Sequence, residues 1–136
     1  MKYTRAKVLK KTYAGYQVFL NNKEVPFFPF LFLDKDNIKN TRINKRDKSL
    51  KIEQLKEFKL LNFKDLNLDS FAIVPEKWKA IDIIMIGDFL IHGTAKENIK
   101  IEPSAIKSVK YIPHNKIHTL NLCGHYHGNV LEIEIK

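Results

Sequence analysis

All five histidines lie in the last third of the chain: His92, His114, His118, His125 and His127. His125 and His127 are two residues apart, so in an extended segment both imidazoles face the same side. Two imidazoles on one face can hold a divalent metal such as Zn²⁺, Mn²⁺ or Fe²⁺. His114 and Asp88 are the expected further ligands, with His92, His118 and Glu132 as other donors in the same half. The bland alternative is a solvated hairpin between Gly124 and Gly128. Cys123 is the lone cysteine, which excludes a disulfide framework and a multi-thiolate metal site. It reads as a small buried hydrophobe.

Two segments carry a resemblance. Ile83-Ile84-Met85-Ile86-Gly87-Asp88-Phe89 and Leu122-Cys123-Gly124-His125-Tyr126-His127-Gly128 resemble blocks of calcineurin-like metallophosphoesterases. In that family a strand-ending Gly-Asp and a later Gly-His-x-His ligate a dinuclear metal site. The resemblance implies Asp88, His125 and His127 as ligands, and a metal-dependent phosphoesterase or nuclease as the activity. The family's Asp-x-His and Gly-Asn-His blocks do not occur in this chain. His125-Tyr126-His127 is also similar to the His-hydrophobic-His element of nucleic-acid-nicking endonucleases. His125-x-His127-x4-Glu132 is similar to the first motif of cupins. So many partial matches show how little His-x-His specifies on its own.

The second chemical signal is charge. The chain has 24 Lys+Arg against 15 Asp+Glu, a net charge of +9. Residues 1–67 hold 16 basic and 7 acidic side chains, and residues 68–136 hold 8 of each, so the excess belongs to the first part. It comes in two blocks: Lys2, Arg5, Lys7, Lys10 and Lys11, then Lys35, Lys39, Arg42, Lys45, Arg46, Lys48 and Lys51. A one-sided positive field attracts polyanions, and nucleic acid is the commonest inside cells. The predominance of Lys over Arg points to backbone contact rather than bidentate base reading. Tyr3, Tyr13, Tyr16 and Phe19 are interleaved with the first block, and aromatic platforms in a positive groove hold single-stranded DNA or RNA. The competing reading is solubility for the lysines and core packing for the aromatics.

These residues need elements to hold them. At 136 residues the chain suits one domain, 1–136, with one core. No apolar run approaches the roughly 20 residues of a membrane span, so no membrane partner is expected. The start, Met1-Lys2-Tyr3-Thr4-Arg5, is charged with no apolar stretch after it, which makes a cytoplasmic location the expectation. No internal repeat is evident. Residues 13–20 alternate as a strand, Asn21-Asn22-Lys23 makes a tight turn, and residues 24–33 return as a hairpin partner. The apolar segment from Phe27 to Leu33 carries Pro26 and Pro29 at its start. It is either an edge strand or a plug for the core, and if exposed it would dock a protein partner. Residues 34–48 read as a loop. Ser49 stands as an N-cap before Ile52, Leu55 and Phe58, a short amphipathic helix. The rest reads as strands, ending in clean alternation with Leu131, Ile133 and Ile135 on one face and Glu132 and Glu134 on the other.

The expected fold is therefore mostly β (α+β), a small barrel or sandwich of OB-like order with one short helix after the third strand. The expected function is a non-catalytic nucleic-acid-binding module. Its contacts would come from Lys2, Arg5, Lys7, Lys10, Lys11, Tyr13, Tyr16, Lys39, Arg42, Lys45 and Arg46. The alternatives are the metal-dependent phosphoesterase or nuclease of the His-x-His site, and a small accessory protein that binds another protein.

Overall fold

The structure, a computed structural model, describes residues 1–57, 61–62, 81–87, 89–92, 97–112 and 129–136. Among the described residues it is mostly β with one α-helix, and that helix comes first. α1 spans Arg5–Tyr13. Thr4 caps it, its side chain accepting from Lys7 N at 3.2 Å. Lys10 and Lys11 occupy its last turn, where cations favour the exposed carbonyls. Only Val8 is fully buried, with Leu9 packed half-buried beside it, so a narrow apolar contact holds the helix.

β1 (Gln17–Leu20) and β2 (Lys23–Val25) form the expected hairpin. Asn21 and Asn22 have φ of 50° and 68°, the left-handed pair that a two-residue hairpin turn requires and that Asn tolerates. The segment from Phe27 to Leu33 is mainly core. Phe28–Phe30 is a 3-10 turn and β3 is Leu31–Phe32. Phe28, Leu31, Phe32 and Leu33 are buried, which leaves Phe27 and part of Phe30 to meet solvent. Both expectations hold in part: the segment plugs the core, and its Leu31–Phe32 is the edge strand of a sheet.

Two expectations are overturned. Residues 34–48 are not a loop, because β4 runs Ile38–Asn44. Residues from Ser49 are not a helix, because β5 runs Ser49–Gln54. Leu50, Ile52 and Gln54 point inward while Lys51 and Glu53 face out, a period of two rather than three. Leu55, assigned to the apolar stripe of that helix, is 65% exposed. The α-helix found among the described residues is instead α1, ahead of every strand and in a segment where no helix was expected. The first sheet has the order β2-β1-β5-β4, with β1 and β5 parallel at its centre.

The second sheet contains β7 (Ile81–Ile86), β8 (Phe89–His92), β10 (Ile106–Ile112) and β11 (Asn129–Ile135), in the order β10-β11-β7-β8. A third sheet joins β3 to β9 (Lys100–Ile101) and β6 (Leu61–Asn62). None of the three closes into a barrel among the described residues. The strands expected around residues 71–74 and 117–123, and the turn around Trp78, lie outside those residues.

The two four-stranded sheets are the same unit twice. Each is a hairpin, a 3-10 turn and a further antiparallel pair, with the first and last strands parallel in the middle. The match extends to register. Leu20 pairs with Ile52 as Ile86 pairs with Ile133. Asn21 N donates to Ile52 O at 2.9 Å, and Gly87 N, with φ of 60°, donates to Ile133 O at 3.3 Å. The turn Lys35–Asn37 leads into β4 as Pro103–Ala105 leads into β10. The bulge after Ile38 recurs after Ile106. Leu55 N bonds Asn37 O at 2.9 Å, and Lys136 N bonds Ala105 O at 3.0 Å. The sequence conceals this repeat because only the inward positions keep their character.

Each unit has its own apolar cluster. Val8, Val18, Leu20, Leu50 and Ile52 fill the first. Ile81, Ile84, Ile86, Leu131 and Ile133 fill the second, together with Phe32 lent by the first unit. A fully buried side chain of this size contributes about 1.5–3 kcal/mol. The units meet at β3 and β9, which pair in parallel, Leu31 with Lys100 and Phe32 with Ile101. Glu102 locks the seam. It is fully buried, accepts Asp34 N at 2.7 Å and Gln54 Nε2 at 3.3 Å on one oxygen, and takes Asn37 Nδ2 at 2.7 Å on the other.

Candidate nucleic-acid interface

The inner face of the first sheet is covered by α1 and the plug. Its outer face is open. Gln17, Phe19, Arg42, Asn44 and Lys51 alternate away from the buried Val18, Leu20, Leu50 and Ile52. Register sets them in rows. Phe19 faces Lys51 and Lys51 faces Arg42, while Gln17 faces Ser49 and Ser49 faces Asn44.

The helix and the β4–β5 turn meet at one end of this face. Tyr16 N bonds Lys11 O at 3.0 Å, and Gln17 N bonds Lys48 O at 2.9 Å. This brings the end of the first basic block beside the middle of the second. Lys10, Tyr13, Lys45, Arg46 and Lys48 are all exposed, Tyr13 to 72%. The Lys11 ammonium lies 5.0 Å from the Tyr16 ring centroid. The turn is braced by Asn44, whose Oδ1 accepts Arg46 N at 3.0 Å and Asp47 N at 3.1 Å. Asn44 Nδ2 donates to Asp47 Oδ2 at 2.9 Å, so the one acid among these cations is already engaged.

Other residues of the expected set fall elsewhere. Lys2 and Arg5 belong to the opposite end of α1, and Lys7 lies between the two ends. Arg5 is committed to the fold. Its guanidinium donates to Leu31 O and, at 2.7 Å, to Pro29 O, and it sits 4.0 Å from the Phe32 ring centroid. Burial lowers its affinity for its proton, opposed by the phenols of Tyr3 and Tyr13. Tyr3 is packed against the first cluster, and burial, offset in part by Arg5 and reinforced by Glu102, pushes its phenol up to about 12. Lys39 is at the far end of β4, 3.5 Å from Glu53 Oε1 in an exposed pair.

Near the seam, burial opposes ionisation of Asp34. Hydrogen bonds from Ser104 and Asp36 N, with the charge of Lys136 at 3.6 Å, outweigh it and hold the carboxyl below its ordinary value. Phe27 and Phe30, with ring centroids 4.9 Å apart, wall a cleft of about 890 Å³ with Leu20, Val25 and Leu31.

The residues expected to bind metal, Asp88, His114, His125 and His127, lie outside the described residues, as do His118 and Cys123. Among the described residues no group of three or more His, Cys, Asp or Glu could hold a metal ion. The residues flanking the expected ligands are placed. Gly87 closes β7 beside Ile133, whereas Asn129 opens β11 beside Ile81. Gly87 and Asn129 therefore stand at opposite ends of the β7–β11 ladder.

Phe19 and Lys51 were the parts of this interface least visible in the residues. Their signal was an alternation with buried neighbours that becomes legible once β5 is a strand. Set against protein-family models, curated proteins and solved structures, the chain finds no match. No helix among the described residues is long and apolar enough to cross a membrane.

Proposed function

We propose that this chain is a non-catalytic nucleic-acid-binding module. The observation that carries the reading is the junction of Gln17 N with Lys48 O, which merges two separate basic blocks into one surface. Lys10, Lys11, Lys45, Arg46 and Lys48 neutralise phosphates at that end, with Arg42 and Lys51 continuing along the sheet. Tyr13 and Tyr16 supply aromatic faces beside them. The neutral balance of residues 68–136, with 8 basic and 8 acidic side chains, fits a single binding face rather than a uniformly basic protein.

The test is anisotropy of labelled single-stranded DNA and RNA across a salt series. Each phosphate neutralised on a single strand contributes about 0.7 to the slope of log K against log salt. Changing Lys10, Lys11, Lys45, Arg46 and Lys48 to Gln should lower that slope by about 3.5. Changing Lys2, Lys23, Lys35, Lys39 and Lys56 to Gln removes the same net charge and should leave the slope nearly unchanged. Equal effects of the two sets, or a binding constant independent of salt, would overturn the reading.

A further inference from the structure

The open face of the first sheet has a counterpart in the second unit, and the two differ in a way that bears on what binds. Matching registers place Met85 where the first unit has Phe19, Ile83 for Gln17, Leu90 for Glu24, Ile112 for Asn44 and Val130 for Ser49. In the second unit these positions form an apolar cluster, with Ile83, Ile112 and Val130 only 2%, 4% and 0% exposed. That part of the face is closed in the second unit, where Lys110 and Glu132, at the places of Arg42 and Lys51, keep a charged surface; in the first unit it is bare. There it forms a groove of about 500 Å³ lined by Gln17, Phe19, Arg42, Asp47, Ser49 and Lys51.

That volume lies within the roughly 300–1,000 Å³ over which proteins hold single small ligands. Its floor offers one half-buried aromatic ring with Lys51 directly across the ladder and Arg42 beyond it. An apolar chain segment, which suits the second unit's face, does not suit this one. A flat π-system attached to an anion does: the ring stacks on the aromatic and the anion meets the cations.

We infer that this groove seats one base of a single strand, stacked on Phe19, with the adjoining phosphates on Lys51 and Arg42. The inference rests on the nucleic-acid reading and narrows it. A base inside a duplex is paired and stacked, so it has no free face to offer Phe19. The strand then runs from the β4–β5 turn, where its phosphates meet Lys45, Arg46 and Lys48, onto the sheet.

The test compares the parent with Phe19→Leu on a short oligothymidylate and on an abasic strand of the same length, at fixed salt. Loss of one stacked base corresponds to about a 5- to 150-fold weakening. That loss is expected on oligothymidylate alone, with abasic binding unchanged. Phe19→Trp is the second variant. It should keep the parent's affinity, and its added fluorescence should be quenched by oligothymidylate and not by the abasic strand. If Phe19→Leu weakens both strands alike, or neither, and the Trp signal is not quenched, the base slot is refuted while charge-driven binding stands. If the parent binds neither strand at low salt, the nucleic-acid reading falls with it.

Discussion

Glu102 is the residue on which the two units depend most directly, and replacing it gives a worked prediction. Its carboxylate faces three donors, Asp34 N, Gln54 Nε2 and Asn37 Nδ2, at 2.7, 3.3 and 2.7 Å. In Glu102→Ala all three lose their acceptor. Asn37 Nδ2 keeps a second bond to Lys56 O at 2.9 Å, so its loss is cushioned. Asp34 N and Gln54 Nε2 are left unpaired in the interior, at about 1–3 kcal/mol each, and the missing side-chain volume adds to that. The expected loss is about 3–6 kcal/mol, a large part of the roughly 5–15 kcal/mol that holds a typical domain together. Glu102→Gln preserves the volume but turns an NH₂ toward one donor. Asn37 cannot relieve this by flipping its amide, because its Oδ1 accepts Lys56 N at 3.1 Å. That variant should lose about 1–3 kcal/mol. Urea unfolding followed by far-UV circular dichroism measures both, read from the midpoint at constant m. A Gln variant within about 0.5 kcal/mol of the parent, with an Ala variant within about 1, would refute the idea that this carboxylate bonds the seam.

Two further outcomes are expected. Asp34 has a depressed carboxyl, so its contribution is present above the unfolded value of about 3.9 and is lost as pH falls through the lower folded value. Asp34→Asn retains an acceptor for Asp36 N but loses the charge that meets Lys136, so it should lower stability above pH 5 and flatten stability against pH on the acid side; an unchanged acid limb would contradict this. Any divalent metal taken up by His125 and His127 should be lost in the His125→Ala, His127→Ala pair. Metal retained by that double variant, measured by chelator competition, would refute a His-x-His site.

The legible parts of the fold were those in which local chemistry and tertiary burial agree. Asn21-Asn22 announced its hairpin because few residues accept two successive left-handed positions. β11 was plain because Leu131 and Ile133 are inward and Glu134 outward. β4 was hidden because an edge strand with one solvated face needs few apolar residues, and its buried inward residue is Thr41. β5 was hidden because Ile52 belongs equally to a period of two with Leu50 and a period of three with Leu55, and only packing decides between them. α1 was missed because a nine-residue helix with one buried anchor has no apolar stripe. Both basic blocks were visible in the residues. Their meeting was not, because it depends on one backbone bond between Gln17 and Lys48.

The seam also has a consequence in time. During synthesis the first sheet has all four strands once Gln54 has emerged, and its hairpins close over short stretches of chain. Gln54 Nε2, however, has its acceptor 48 residues further on, at Glu102. At about 5–20 residues per second the ribosome takes on the order of 2–10 s to supply it. Through that interval the nascent sheet holds an unmatched amide, and Phe32 lacks the isoleucines it later packs against. The first unit is thus a waiting half until its twin arrives to complete it.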